Sequence, residues 1–132
     1  MEQQRDGAQR DGQSAGPQGG LTVHTMNVLN GLPASGIDVT FFRLEDSPQP
    51  WVQLTKSTTN ASGRSDLSSA IPRRLEPGTY KLCFETAAYW QQQGYASFYP
   101  YVEVVFTVTE AEQKVHIPLL LSPFSYSTYR GS

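Results

Sequence analysis

The strongest constraint on the fold is a series of short segments in which apolar and polar residues alternate. In the clearest one, after Pro77-Gly78, Tyr80, Leu82 and Phe84 share one face of a strand. Seven other segments are predicted as strands: 21–29, 37–41, 51–57, 65–67, 101–108, 114–121 and 124–130. Short strands at spacings of roughly 8–12 residues are typical of an all-β sandwich or barrel. We predict a sandwich of two antiparallel sheets, with hairpin connections between strands.

Three details refine this prediction. The alternation of residues 37–41 breaks at Phe42, which indicates a bulge or burial on both faces. In the strand at 51–57, Val52 and Leu54 are expected to point inward. Residues 87–93 form the one plausible helix, which should end at Gly94.

Length and composition exclude several classes of protein. The 132 residues suggest one domain. Residues 1–20 repeat Gln-Arg-Asp-Gly and carry almost no large apolar residues, so they are predicted to be a disordered tail before a domain at 21–132. Ten basic residues face twelve acidic ones without a basic stripe, which argues against nucleic acid as a partner. No apolar run reaches the roughly 18 residues that span a membrane.

The single cysteine, Cys83, limits covalent and metal chemistry. It excludes an intramolecular disulfide and a cysteine metal site, and it fits a reducing compartment. Two histidines without a carboxylate at a known position do not make a persuasive zinc site either. The chain also lacks the Gly-x-Ser-x-Gly elbow of serine hydrolases.

The two histidines occupy strand faces that do not look like core. On the strand from Lys114, Val115, Ile117, Leu119 and Leu121 share the apolar face, so His116 lies on the opposite one. His24 shares a face with Met26, and Ser127 shares one with Tyr129. An apolar surface with a few polar groups suits the wall of a binding cleft. Each of these side chains, and Arg64 after its glycine turn, can equally be an ordinary surface residue.

Several stretches together resemble one family. They are "LTVHTMNVLNGLPA", "TTNASGR", "GTYKLCFETAAYW", "FYPYVEVVFTV" and "HIPLLLSPFSYSTYRGS", with the ending Tyr-Arg-Gly-Ser the most specific. This pattern resembles the 5-hydroxyisourate hydrolases, the transthyretin-like enzymes of urate degradation. The resemblance implies a transthyretin-like sandwich of two four-stranded antiparallel sheets with one short helix. It also implies a homotetramer whose central channel holds the active sites.

The resemblance assigns roles to individual residues. His24, Arg64, His116 and Ser132 match catalytic positions, and Tyr129, with His24 and Arg64, matches the substrate-binding ones. Gly131 would let the terminal backbone bend, and Phe124 and Tyr126 would anchor the last strand. Many relatives carry histidine where this chain has Lys114.

The activity implied is opening of the six-membered ring of 5-hydroxyisourate to 2-oxo-4-hydroxy-4-carboxy-5-ureidoimidazoline, without metal or cofactor. The alternatives are a transthyretin-like carrier of a small aromatic hormone and an immunoglobulin-like interaction domain. The expected location is intracellular, peroxisomal or cytoplasmic, although the ending Arg-Gly-Ser is not the peroxisomal Ser-Lys-Leu.

Overall fold

A computed structural model describes residues 20–71, 73–112 and 114–131. The predicted tail lies outside these residues except for Gly20, which begins the first strand. The strands are β1 (Gly20–Asn27), β2 (Leu32–Pro33), β3 (Asp38–Leu44), β4 (Trp51–Thr58), β5 (Arg64–Asp66), β6 (Gly78–Phe84), β7 (Val102–Val108), β8 (Lys114–Ser122) and β9 (Ser125–Thr128). A 3₁₀ turn spans Ser68–Ala70, and one α-helix, α1, spans Thr86–Gln92.

The strands form two sheets that enclose one core, which confirms the all-β, two-sheet prediction. One sheet has the order β4-β3-β6-β7. The other has the order β2-β1-β8-β9, with β5 also paired to β1. The inward faces follow the two-residue period: Leu21 and Val23 of β1, and Val115, Ile117 and Leu119 of β8, are at most 5% exposed.

Two details of the sheets differ from the prediction. The sheet that contains β1 has five strands, because the two-residue β2 and the three-residue β5 both pair with β1. The pairing of β1 with β8 is parallel over the whole of Gly20–Asn27. Hairpin connections impose antiparallel pairing only on strands close in sequence, whereas β1 and β8 lie at opposite ends of the chain.

Val52 and Leu54, expected to point inward, are not buried in the core. Their side chains are 40% and 39% exposed, because β4 is the edge strand of its sheet and has a neighbour on one side only. The predicted bulge is confirmed: the register of β3 against β4 shifts between Phe41 and Phe42. The ring of Phe42 lies 4.8 Å from the ammonium group of Lys81, on the outer face of the sheet.

The helix α1 begins one residue before the predicted segment and ends one residue before its end. It packs Tyr89 and Trp90 into the core. Gly94 follows it with φ +87°, the left-handed conformation expected of a residue that stops a helix. In the described part of the chain no helix is long and apolar enough to cross a membrane.

Candidate active site

Strand β1 gathers the predicted site residues, because it lies between β5 and β8. His24 is paired with Arg64 of β5 on one side and with Pro118 of β8 on the other. Two residues back along the strands, Thr22 is paired with His116. With a strand spacing of about 4.8 Å and a rise of about 3.3 Å per residue, the Cα atoms of the two histidines lie about 8 Å apart.

Both histidines lie on the outer face of this sheet, as their strand positions predicted. His24 is half-buried between the fully buried residues Val23 and Thr25. His116 is half-buried between the core residues Val115 and Ile117. Both imidazoles are therefore carried by a regular sheet and are partly exposed on its outer face.

Arg64 is positioned by the turn that precedes β5. The side-chain oxygen of Asn60 accepts hydrogen bonds from the backbone N–H groups of Ser62 and Arg64, both at 3.0 Å. The backbone N–H of Asn60 in turn donates to the carbonyl of Arg64 at 2.8 Å. This asparagine-capped turn fixes where β5 begins and delivers Arg64 beside His24.

Gly63 makes that turn possible. Its φ is +74°, and a Cβ at this position would lie 2.3 Å from the carbonyl oxygen of Thr25. The carbonyl of Gly63 accepts hydrogen bonds from the N–H of Thr25 at 2.7 Å and from its hydroxyl at 3.1 Å. The turn is thus bonded directly to β1, so that Arg64 and His24 share one frame.

A cleft of about 760 Å³ opens on this face. Its lining includes Thr22, Arg64, Asp66, Lys114, His116 and Gly131. It therefore joins Arg64 and His116, while His24 lies at its side, next to Arg64 in the sheet register. A cleft of this volume is large enough for a small heterocyclic molecule.

The electrostatics of the site act mainly on His24. Burial lowers the pKa of His24 below its usual 6.5, and the positive charges of Arg64 and, to a lesser degree, His116 lower it further. A hydrogen bond to the backbone of Ser62 acts in the opposite direction. The imidazole of His24 is consequently neutral at pH 7 and able to accept a proton.

The end of the chain folds back along β8 and covers one flank of His116. The N–H of Gly131 donates to the carbonyl of His116 at 2.8 Å. The guanidinium of Arg130 contacts the carboxylate of Glu112 at 3.3 Å and the carbonyl of Lys114 at 3.4 Å. These bonds tie the terminal segment to the start of β8, although that segment is otherwise exposed.

The expected reason for Gly131 is wrong. Its backbone is outside the left-handed region, so no bend requires glycine. A Cβ there would instead lie 2.6 Å from Cδ2 of His116 and 3.2 Å from its carbonyl oxygen. The residue must be glycine because the backbone passes directly against the histidine ring.

Four other residues near the end of the sequence were predicted to line the site or to anchor the last strand. Tyr129 is 58% exposed and lines a separate cavity of about 230 Å³ beside β7, so the described chain does not join it to the cleft. Ser132 lies outside the described residues. Phe124 and Tyr126 are 67% and 40% exposed, so they do not anchor β9 in the core. They contact the aromatic rings of residues 98 and 99 instead, because β9 is an edge strand.

Sequence reasoning missed the residues that hold the site rather than form it. Thr22 bonds to His116, Asn60 caps the turn of Arg64, and Glu112 pairs with Arg130. Only Asn60 left a recognisable signal: asparagine three residues before glycine is typical of a turn, and the turn at 59–63 was predicted from it, although its hydrogen bond to Arg64 was not. The partners of Thr22 and Glu112 depend on tertiary pairing and leave none.

Comparison with known proteins places the chain in a family. Residues 21–131 match the family described as HIUase/Transthyretin. The chain belongs to the HIUase/transthyretin family. It is 53% identical over 112 residues to the 5-hydroxyisourate hydrolase of Mus musculus, covering 85% of this chain and 94% of that protein. It is 46% identical over 118 residues to a probable 5-hydroxyisourate hydrolase of Schizosaccharomyces pombe, covering 88% and 94%.

The chain resembles solved structures of both kinds of family member, hydrolases and transthyretins, equally well in fold. A Klebsiella pneumoniae 5-hydroxyisourate hydrolase matches with a TM-score of 0.73 and 34% identity, covering 86% of this chain and 99% of that one. Transthyretin from Sparus aurata also matches with a TM-score of 0.73, at 30% identity, covering 84% and 95%. Backbone similarity therefore does not distinguish hydrolase from transthyretin, and the side chains of the site must.

Proposed function

We propose that this chain is a 5-hydroxyisourate hydrolase. The observation that carries the proposal is the placement of Arg64 and His116 in one cleft, with the neutral His24 beside Arg64. The similarity to the mouse and fission yeast hydrolases supports the same substrate. The charged and imidazole side chains of this cleft suit hydrolysis of a polar heterocycle better than carriage of an aromatic hormone.

The proposed reaction begins with a water molecule activated by His24. As the water oxygen attacks C6 of 5-hydroxyisourate, His24 accepts one proton, for which its lowered pKa leaves it unprotonated near neutral pH. The C6 oxygen becomes anionic. The guanidinium of Arg64 stabilises this negative charge and orients the substrate carbonyl.

Ring opening completes the reaction. The C6–N1 bond breaks, C6 becomes a carboxylic acid that ionises, and N1 takes a proton as it leaves. We propose that this is the proton that His24 took from water, relayed through His116, which lies diagonally across β1 and β8 from His24, so that both imidazoles return to their starting state. We assign Tyr129 to substrate positioning and Ser132 to the catalytic set. Each step uses side chains of the chain, and the proposal needs no metal or cofactor.

We further propose that the protein is a homotetramer that encloses these clefts in a channel. Strands β7 and β9 are the outer strands of their sheets in the described chain, each with a free edge for a second copy. Val28, Leu29 and Leu32, in and after the turn that follows β1, are each more than half exposed. An apolar turn of this kind is better explained by a partner surface than by solvent.

A reducing compartment, peroxisomal or cytoplasmic, is part of the same proposal. Burial raises the pKa of Cys83 to about 11, and the carboxylates of Glu85 and Glu103 act in the same direction. The thiol therefore stays protonated and unreactive near neutral pH. Such a cysteine adds no thiolate chemistry to the chain, whose single cysteine has no second one with which to form an internal disulfide.

The decisive experiment is decay of freshly made 5-hydroxyisourate, generated from urate by urate oxidase and followed by ultraviolet absorbance. The protein should accelerate decay well above the spontaneous rate. His24→Ala, Arg64→Ala and His116→Ala should each lower kcat by on the order of 10²-fold or more, because each removes proton transfer or charge stabilisation.

Lys114→Ala is the matched control. Lys114 lies two residues before His116 on the same face of β8 and lines the same cleft, but it has no assigned step. Its loss should change kcat by less than about 3-fold, within the range of an exposed charge. Decay no faster than the spontaneous rate would reject the hydrolase, and binding of an aromatic hormone under those conditions would favour the carrier.

A further inference from the structure

Thr22 and His116 form a pair that none of the steps above uses. They are directly opposite each other on the parallel strands β1 and β8. The Thr22 hydroxyl and Nδ1 of His116 are hydrogen-bonded at 2.7 Å, at the short end of the range for a nitrogen and an oxygen. Both residues are half-buried and line the same cleft.

The opposite flank of the ring is also occupied. Cδ2 of His116 lies so close to Gly131 that a Cβ there would come within 2.6 Å. The N–H of Gly131 donates to the carbonyl of His116, which keeps the terminal backbone in that position. Nδ1 and Cδ2 are the two ring atoms bonded to Cγ, so both sides of the ring are held next to its attachment point.

We propose that Thr22 is a positioning residue that fixes the imidazole of His116 by Nδ1 and presents Nε2 to the substrate. With Nδ1 and Cδ2 held, the free end of the ring is Cε1 and Nε2. Rotation of the ring by 180° would exchange Nδ1 with Cδ2 and lose the Thr22 bond. The hydrogen bond at Nδ1 also sets which ring nitrogen carries the proton in the neutral form.

The catalytic part of this inference rests on the proposed function, because it places Nε2 of His116 at the departing nitrogen. A ring free to turn would offer carbon instead of nitrogen to the substrate for part of the time. It would also populate both neutral tautomers. At metal-bound histidines, loss of the hydrogen bond that orients the ring typically costs about 10- to 100-fold in activity, and we expect the same scale here.

Thr22→Val is the informative variant, because valine keeps the shape and strand preference of threonine and removes the hydroxyl. Thr22→Ser restores the hydroxyl and should restore activity. Thr40→Val is the matched control: Thr40 lies within β3 of the other sheet, and its side chain makes no hydrogen bond to the described residues. It reports the general cost of the same substitution in a strand.

The first measurement is the ¹⁵N chemical shifts of the His116 ring in the full-length protein without substrate. Wild type, Thr22→Ser and Thr40→Val should show the same Nδ1 and Nε2 shifts, and Thr22→Val should show altered ones. The second measurement is steady-state hydrolysis. Thr22→Val should lower kcat by about 10- to 100-fold and change KM by less than about 3-fold, since positioning acts on the proton transfer.

Unchanged His116 shifts in Thr22→Val would overturn the proposal, as would a wild-type kcat in that variant. Should Thr22→Val fail to fold, Gly131→Ala displaces the same ring from its other flank and must also change the His116 shifts. The shifts need no substrate. An inactive wild type with the predicted shift changes would therefore reject the hydrolase and keep the positioning, whereas an active wild type without them would do the reverse.

Discussion

Replacing Gly63 with alanine should destabilise the protein more than the same change at Gly36. Both glycines have left-handed backbones, with φ +74° at Gly63 and +79° at Gly36. A Cβ at Gly36 would meet nothing within 4 Å, whereas one at Gly63 would lie 2.3 Å from the Thr25 carbonyl oxygen. The pair therefore separates the cost of a left-handed alanine from the cost of the contact.

The two costs differ in size. A left-handed alanine costs roughly 1–2 kcal/mol at either position. At Gly63 the turn must also move away from β1, which disturbs the hydrogen bond that the Gly63 carbonyl accepts from the N–H of Thr25. The Thr25 hydroxyl keeps its shorter bond to the carbonyl of Ala34, at 2.7 Å. One buried bond left unmade costs about 1–3 kcal/mol. The total expected for Gly63→Ala is roughly 2–5 kcal/mol, against roughly 1–2 kcal/mol for Gly36→Ala.

Denaturant unfolding at one fixed protein concentration measures both variants against wild type. Because Arg64 follows Gly63 directly, we also expect Gly63→Ala to lose activity under conditions where it remains folded, while Gly36→Ala keeps its activity. A shift of about 1 Å in such a group can cost about 100-fold in rate. Equal destabilisation by the two variants, together with full activity in Gly63→Ala, would refute the argument that this turn is fitted against β1.

Four further outcomes are expected. Because burial and Arg64 lower the pKa of His24, and a base must be unprotonated to act, kcat/KM should rise with pH along a limb whose midpoint lies below 6.5. Arg64→Gln removes a neighbouring positive charge and should raise the His24 midpoint in an NMR titration; a lower midpoint would contradict the assignment. Deleting residues 129–132 should abolish hydrolysis and leave the circular dichroism spectrum unchanged, since the buried core lies outside them; full activity would show that the terminus is dispensable. Sedimentation at assay concentration should show a tetramer, and a fully active monomer would contradict the channel.

The sequence predicted which face is buried for strands such as β6 and β8, but not which strands are neighbours. Alternation around Val115 and Ile117 placed His116 on the outer face, and the structure agrees. The period of two carries no information on pairing, so the parallel contact of β1 with β8 was not predicted. The exposure of Val52 was not predicted for the same reason, because an alternating strand looks alike at the centre and at the edge of a sheet.

For the site, likewise, the sequence indicated the residues but not their contacts. The resemblance named His24, Arg64 and His116, and the fold brings all three to one face. The hydrogen bond of Thr22 to His116 joins residues 94 positions apart, and no local pattern encodes it. Gly131 was singled out by its motif, but the reason for it depends on a contact that only the folded chain contains.

The parallel contact of β1 with β8 also affects the order in which the protein can mature during its synthesis. Thr22 leaves the ribosome 94 residues before His116 does, and at about 5–20 residues per second the delay is roughly 5–20 s. Through that interval one edge of β1 has no native partner, and the apolar residues Leu21 and Val23 lack the strand that completes their sheet. We expect a nascent chain stopped before residue 114 to be sensitive to protease and to bind chaperones. Activity should appear only after the last strand has been released.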